Sequence, residues 1–267
     1  MKIAVFMKQV PAYSEENMDE KTGVIIRAGL PSIANVYDVV ALETALRIKE
    51  ITNAEITVFT MGPDKAEDVI REAYSMGADK GYLICDKAFA GSDVLATSYT
   101  LSQAVSSVDN FDIILCGKQT TDGDTAQVSG AVAEWLGIPH MNWVCEIINV
   151  TENEINVKCQ LDGRLSVIQT AYPCILSVEK SIFTPRMPSL KLKMSSRKKE
   201  IGKITLDDLN DKNENNYGLK GSATKVRKIF PPERTAKRDI VIKNGKDGAD
   251  YILEIFKNTF NSKEENI

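Results

Sequence analysis

Three short β-favouring apolar runs, KIAVFM (2–7), AEITVFTM (54–61) and DIILC (112–116), recur at long intervals, and helical periodicity fills the stretches between them. In 35–50 the residues Val36, Val39, Val40, Leu42 and Leu46 fall at helical spacing. In 63–76, Pro63 opens the segment and Ala66, Val69, Ile70 and Ala73 share a face. KGYLIC (80–85) supplies a further strand, and 92–108, opening at Ser92, a further helix through Val94, Leu101, Val105 and Val108. Strand and helix in strict alternation predict an α/β fold, a parallel sheet with helices on both faces, whose ligands gather where the strands end. The candidate loops are therefore those after Phe6, Met61, Cys85 and Cys116.

Beyond residue 140 the pattern changes to short alternating runs, WVCEIINV, EINVKCQ and LSVIQT, with Asp162-Gly163 as a hairpin turn, so the parallel domain gains an antiparallel addition. The segment 207–218 is polar and reads as a loop, and a helix is expected over about 247–258. The chain thus divides into a domain over 1–200 and an arm over 201–267 that is too poor in apolar residues to fold alone and lies on something larger.

Composition removes several function classes. The formal net charge of -4 argues against nucleic acid as the main partner. No apolar run reaches membrane-spanning length and the N-terminus does not read as a signal peptide, which makes a cytoplasmic protein the expectation. Cys85, Cys116, Cys145, Cys159 and Cys174 are scattered without a C-x-x-C pair and read as reduced core thiols. With His140 as the only histidine, one chain cannot assemble a histidine-based triad or a multi-histidine metal site.

The most informative loop is CGKQTTDGDTAQVSG (116–130), between a strand and a helix. Asp124 and Gln127 have the spacing of a capping box, and Gly137 stands ready to end the helix. The rest suits an anion: Gly117 lets backbone approach a ligand, Gly123 tolerates a tight turn, and a helix start offers N–H groups. Thr120, Thr121 and Thr125 add hydroxyls and Lys118 a positive charge. Asp122 and Asp124 would repel a phosphate, so they suit helix capping or ribose hydroxyls. Neither G-x-x-x-x-G-K-[ST] nor G-x-G-x-x-G is present. Asn35, with Asp38 three residues on, reads equally as an ordinary helix cap, and TMGPD (60–64) as a βα turn.

Taken together, KIAVFMKQVP, NVYDVVALETALRIKE, VFTMGP, REAYSMGADKGYLI, IILCGKQTTDGDTAQV and PPERTA resemble, in order and spacing, the β subunit of electron transfer flavoproteins along nearly the whole chain. The resemblance implies a Rossmann-like domain of the adenine-nucleotide-binding type and a heterodimer with a larger α subunit that carries an electron-shuttling FAD, with the C-terminal arm wrapping that subunit. In many members the β subunit holds a structural AMP; in electron-bifurcating members it holds a second FAD. DGDTAQV resembles the bifurcating version, as does TGVIIRAGLPSIAN, which makes Arg27 a candidate contact near a flavin ring. Two places depart from that subgroup: Ser129-Gly130 stands where Gly-Pro is common, and Val36-Tyr37 where Asn-Pro followed by an aromatic or acidic residue is common.

Carried onto this chain, the resemblance puts adenine and ribose contacts at Phe6, Asn35, Val36, Tyr37, Asp38 and Met61. Pyrophosphate contacts fall at Gly117, Lys118, Gln119, Thr120, Thr121, Asp122, Gly123, Asp124, Thr125, Ala126, Gln127 and Val128. From Arg186 to Lys199 there are six basic and no acidic residues; on pattern alone this suits a solvated helix face. In the family a loop within 184–199 anchors a partner dehydrogenase, a role that would fall to Met187 or Leu190. The implied activity is hydride uptake from NADH and division of the electrons between ferredoxin and, through the α-subunit FAD, an acyl-CoA dehydrogenase-like partner. No side chain need serve as nucleophile or general base, since a flavin carries the chemistry. The alternatives are a conventional electron carrier holding AMP and a non-redox adenylate-binding module of the universal-stress type. An ATP-pyrophosphatase is disfavoured, because MKQVPAYS stands where its Ser-Gly-Gly loop belongs.

Overall fold

The structure, a computed structural model, describes residues 1–12, 31–225 and 244–264. Arg27, most of TGVIIRAGLPSIAN, and PPERTA lie outside the described residues. Met1–Lys228 form one compact unit and Ile229–Ile267 another.

In chain order the first unit contains β1 (Lys2–Phe6), β2 (Gln9–Pro11), β3 (Ser32–Ala34), α1 (Val36–Thr52), β4 (Glu55–Met61), α2 (Glu67–Met76), β5 (Lys80–Ile84), α3 (Val94–Val108), β6 (Ile113–Gly117) and α4 (Val128–Leu136). It continues with β7 (His140–Val150), β8 (Glu154–Leu161), β9 (Arg164–Ala171), β10 (Cys174–Val178), α5 (Leu190–Ser196), β11 (Gly202–Ile204) and α6 (Gly218–Gly221). The second unit holds α7 (Gly245–Glu264). Among the described residues nine strands form one sheet in the order β11-β5-β4-β1-β6-β10-β7-β8-β9. Pairing is parallel from β11 through β7 and antiparallel from β7 to β9.

Alternation along β1 explains the two layers. Ile3 and Val5 face one way, into a core with Ile56, Val58, Leu42 and Ile70, so α1 and α2 cover that face. Ala4 and Phe6 face the other way, toward Phe59, Leu101, Val105 and Val132, so α3 and α4 cover the second face. Each large aliphatic side chain taken wholly out of water contributes about 1.5–3 kcal/mol. That burial holds the sheet with helices on both sides, as the alternation predicts.

Several local expectations are corrected. Pro63 precedes a short 3-10 turn at Asp64–Ala66, and α2 proper starts at Glu67. Asp93, not Ser92, opens α3: its carboxylate accepts from the Ala96 N–H at 3.1 Å. The segment 207–218 holds two short 3-10 turns, and Tyr217 there is fully buried. The boundary expected at 200 falls inside the first unit, because β11 joins the main sheet beside β5. β10 inserts between β6 and β7 and ties the antiparallel addition into the parallel sheet. The hairpin turn stands at Asp162 (φ 46°) and Gly163 (φ 75°), and β9 closes that end of the sheet with Leu165 and Val167 exposed. The described cysteines are free thiols, and no described helix is long and apolar enough to cross a membrane.

Candidate functional site

β1, β4 and β6 run parallel, so their carboxyl ends, at Phe6, Met61 and Gly117, share one edge. The first turn of α1 comes to the same edge, and Asp38, 5% exposed, joins the parts. Its Oδ2 accepts from the Lys8 N–H at 2.9 Å and its Oδ1 from the Gly117 N–H at 3.1 Å. One carboxylate thus staples the loop after β1 to the loop after β6. Burial pushes the Asp38 carboxyl up to about 7, outweighing the opposing pull of Asn35, the two amides and the Lys8 charge.

Asn35 occupies the N-cap position of α1 but makes no side-chain cap. Its Nδ2 donates to the Gln119 carbonyl at 2.9 Å and its Oδ1 accepts from the Thr121 N–H at 3.3 Å. The expected cap gives way because the side chain satisfies two backbone groups of the neighbouring loop. Gly117 permits the close approach: a Cβ there would lie 2.6 Å from Asp38 Oδ1, Tyr37 C and Tyr37 Cβ. Its lack of a side chain serves the packing of α1 against β6.

The loop after β6 departs from its expected capping box. Gln127 stands at the N-cap of α4 without a side-chain cap, and Asp124 Oδ1 instead accepts from Gln119 Nε2 at 2.5 Å. Left-handed backbone falls on Asp124 (φ 50°) and Ala126 (φ 53°), not on Gly123, and turns the chain so that α4 begins only at Val128. Thr121, Asp122, Gly123, Asp124, Thr125 and Gln127 are exposed along this turn, and Thr120 is half-buried. The Lys118 ammonium is directed to Glu179 at 2.7 Å and lies 4.1 Å from the Trp143 ring centroid. Lys8, which neither pattern nor resemblance singled out, takes the charge of Asp122, with Nζ 2.7 Å from both carboxylate oxygens. Its legible signal was a cation at the carboxyl end of β1. The like charge expected to repel an anion is therefore neutralised at Asp122.

The apolar side of the edge is Phe6, 6% exposed, with Met61 and Val128 half-buried against the same cluster. Val36 is exposed at the helix start and Tyr37 half-buried beside Gly117. Among the described residues His140 Nε2 is buried without a partner, and burial lowers its pKa, which keeps the ring neutral near pH 7. Among the described residues no cluster of His, Cys, Asp and Glu could hold a metal ion. Away from this edge, Met187 and Leu190 are 86% and 75% exposed.

A parallel α/β sheet, loops converging on one carboxyl edge and a helix starting there without a side-chain cap define the class of doubly wound, nucleotide-binding-type α/β proteins. The electron transfer flavoprotein domain model matches residues 22–209. The chain is 41% identical over 256 residues to electron transfer flavoprotein subunit beta of Thermoanaerobacterium thermosaccharolyticum, covering 95% of this chain and 97% of that one. It is 39% identical over 267 residues to the corresponding subunit of Megasphaera elsdenii, covering 95% and 96%. It is 40% identical over 233 residues to subunit CarD of the caffeyl-CoA reductase-Etf complex of Acetobacterium woodii, covering 87% and 88%. The chain belongs to the electron transfer flavoprotein family, with the β subunits.

Proposed function

We propose that this chain is the β subunit of a heterodimeric electron transfer flavoprotein that binds FAD in a crevice at the carboxyl ends of β1, β4 and β6 and accepts hydride from NADH. One electron passes to ferredoxin and the other, through the FAD of a larger α subunit, to an acyl-CoA dehydrogenase-like partner that docks at Met187 and Leu190. The observation that carries the reading is the start of α4, which has no side-chain cap and lies at the edge stapled by Asp38. Amides there, with the hydroxyls of Thr120, Thr121 and Thr125, suit a pyrophosphate. Phe6 and Met61 offer apolar surface to an adenine, with Val36 and Tyr37 beside them. Asp38 and Asn35 shape the crevice from within, since their side-chain oxygens serve backbone amides. Lys8 holds Asp122 neutralised, which lowers the cost of bringing phosphate to the loop. FAD, when bound, supplies the hydride acceptance and the electron release. The Acetobacterium woodii relative's name joins an Etf to a caffeyl-CoA reductase, which supports a partner acting on CoA thioesters.

The test is co-production with the α subunit, a count of flavin and AMP per heterodimer, and mixing with NADH and ferredoxin. Two flavins and reduced ferredoxin are expected. One flavin with one AMP makes the chain a conventional carrier and overturns the FAD assignment. A heterodimer whose β subunit carries no adenine nucleotide overturns the crevice itself.

A further inference from the structure

Glu43, in the middle of α1, has a side chain with no solvent exposure. A carboxylate so placed is tolerated only when it is paired. Arg186 meets it as a fork, Nε to Oε2 at 2.8 Å and Nη2 to Oε1 at 3.0 Å, while the Arg186 backbone N–H adds a bond to Oε2 at 3.1 Å. Arg47 donates to Oε1 at 2.7 Å and lies 5.6 Å from the Phe183 ring centroid. Glu50 Oε1 lies 2.8 Å from the same Nη2 of Arg186. Positions 43, 47 and 50 thus form one stripe on α1 that grips residues 183–186. The other end of the segment is anchored on α2: the Ser189 N–H donates to the Ser75 carbonyl at 3.1 Å, and Arg71 donates to the Ser196 and Lys199 carbonyls at 2.6 and 2.5 Å. Met187 stands out between the two anchors, and Leu190 follows the second.

We infer that Glu43 is a positioning residue for partner docking. Through Arg186 it holds Met187 and Leu190 as a preformed apolar plug, for a pocket with an acidic rim on the dehydrogenase, and registers that plug on the helix whose first turn shapes the crevice. This rests on the docking role given above to Met187 and Leu190. Fixing the backbone on both sides of a flexible methionine removes much of the ordering cost of association. The acidic rim follows from charge: Arg186–Lys199 carries six basic residues and no acidic one.

The test uses the full chain in its heterodimer, with a butyryl-CoA dehydrogenase as probe. Glu43→Gln is expected to speed amide exchange across 184–189 by about ten-fold or more, with the loops at 8 and 117–127 unchanged. It raises KM for the dehydrogenase several-fold and leaves nucleotide content and NADH-driven flavin reduction as they were. Arg186→Lys keeps a cation beside Glu43 but loses the fork, so it gives the same changes at smaller size and serves if Glu43→Gln fails to fold. Unaltered exchange and KM in these variants overturn the inference. Met187→Ala separates the two levels: it raises KM with exchange at 184–189 unaltered. If Met187→Ala leaves KM unchanged, the docking reading falls and the positioning role falls with it; if Met187→Ala raises KM and Glu43→Gln does not, only the positioning role falls.

Discussion

Two buried carboxylates five residues apart on α1 are driven in opposite directions. At the crevice end, Asp38 meets backbone amides, and burial wins: its carboxyl rises to about 7. In the middle of the helix burial also acts first on Glu43, yet the hydrogen bonds from Arg186 and Arg47 reverse it and hold the carboxyl below its ordinary value. Uncharged dipoles can satisfy a carboxylate's geometry without restoring what water gave its charge, whereas guanidinium partners do both. The crevice end is accordingly built for shape and the middle of α1 for grip.

The largest way to break this contrast is Asp38→Ala, which strands the amides of Lys8 and Gly117 and should cost roughly 2–5 kcal/mol of unfolding free energy by urea titration. Next in size is the pH dependence. Asp38, raised when folded, contributes most below its unfolded value of about 3.8 and loses that contribution as pH climbs to about 7. The stability gap between wild type and Asp38→Asn should therefore narrow from pH 4 to 7, by at most about 4 kcal/mol at ~1.4 kcal/mol per pH unit. Glu43, lowered when folded, stabilises above its unfolded value of about 4.5 and loses that effect as pH falls, so the gap to Glu43→Gln shrinks toward acid. Slopes of the same sign for the two variants would dissolve the contrast. Gly117→Ala forces a methyl onto Tyr37 and Asp38 and should cost about 1–3 kcal/mol, with weakened adenine-nucleotide retention measured on the same samples. Smallest is Lys8→Met, which breaks a half-exposed pair with Asp122 and should move the unfolding midpoint by no more than about 1 kcal/mol. If Asp122 then repels phosphate, nucleotide retention falls further at low salt than at high salt.

Much of this was legible in residue patterns. The order of strands and helices through α4 follows from apolar periodicity, because that periodicity is what the two cores bury. The loop after β6 reads in the sequence as the one rich in hydroxyls and glycine, and the basic run 186–199 carries Met187 and Leu190, both exposed in the fold. The interior of the site was not legible. D-x-x-Q spacing at 124–127 says capping box, but left-handed backbone at Asp124 and Ala126 moves the helix start, and no local pattern encodes that turn. Asn35 and Asp38 read as helix caps because their partners, Lys8, Gly117, Gln119 and Thr121, are remote in sequence. Glu43 was invisible for the same reason: a charged residue among apolar neighbours looks like the solvated face until Arg186, 143 residues later, lies across it. The insertion of β10 between β6 and β7 is likewise a property of sheet order, to which periodicity is blind.

The end of the sheet at β9 bears on how the molecule must be made. A terminal ladder flanked by bare Leu165 and Val167 is an adhesive ledge for any other extended polypeptide. A copy made with that ledge bare offers its unpaired backbone to the next, and is the form most prone to clump.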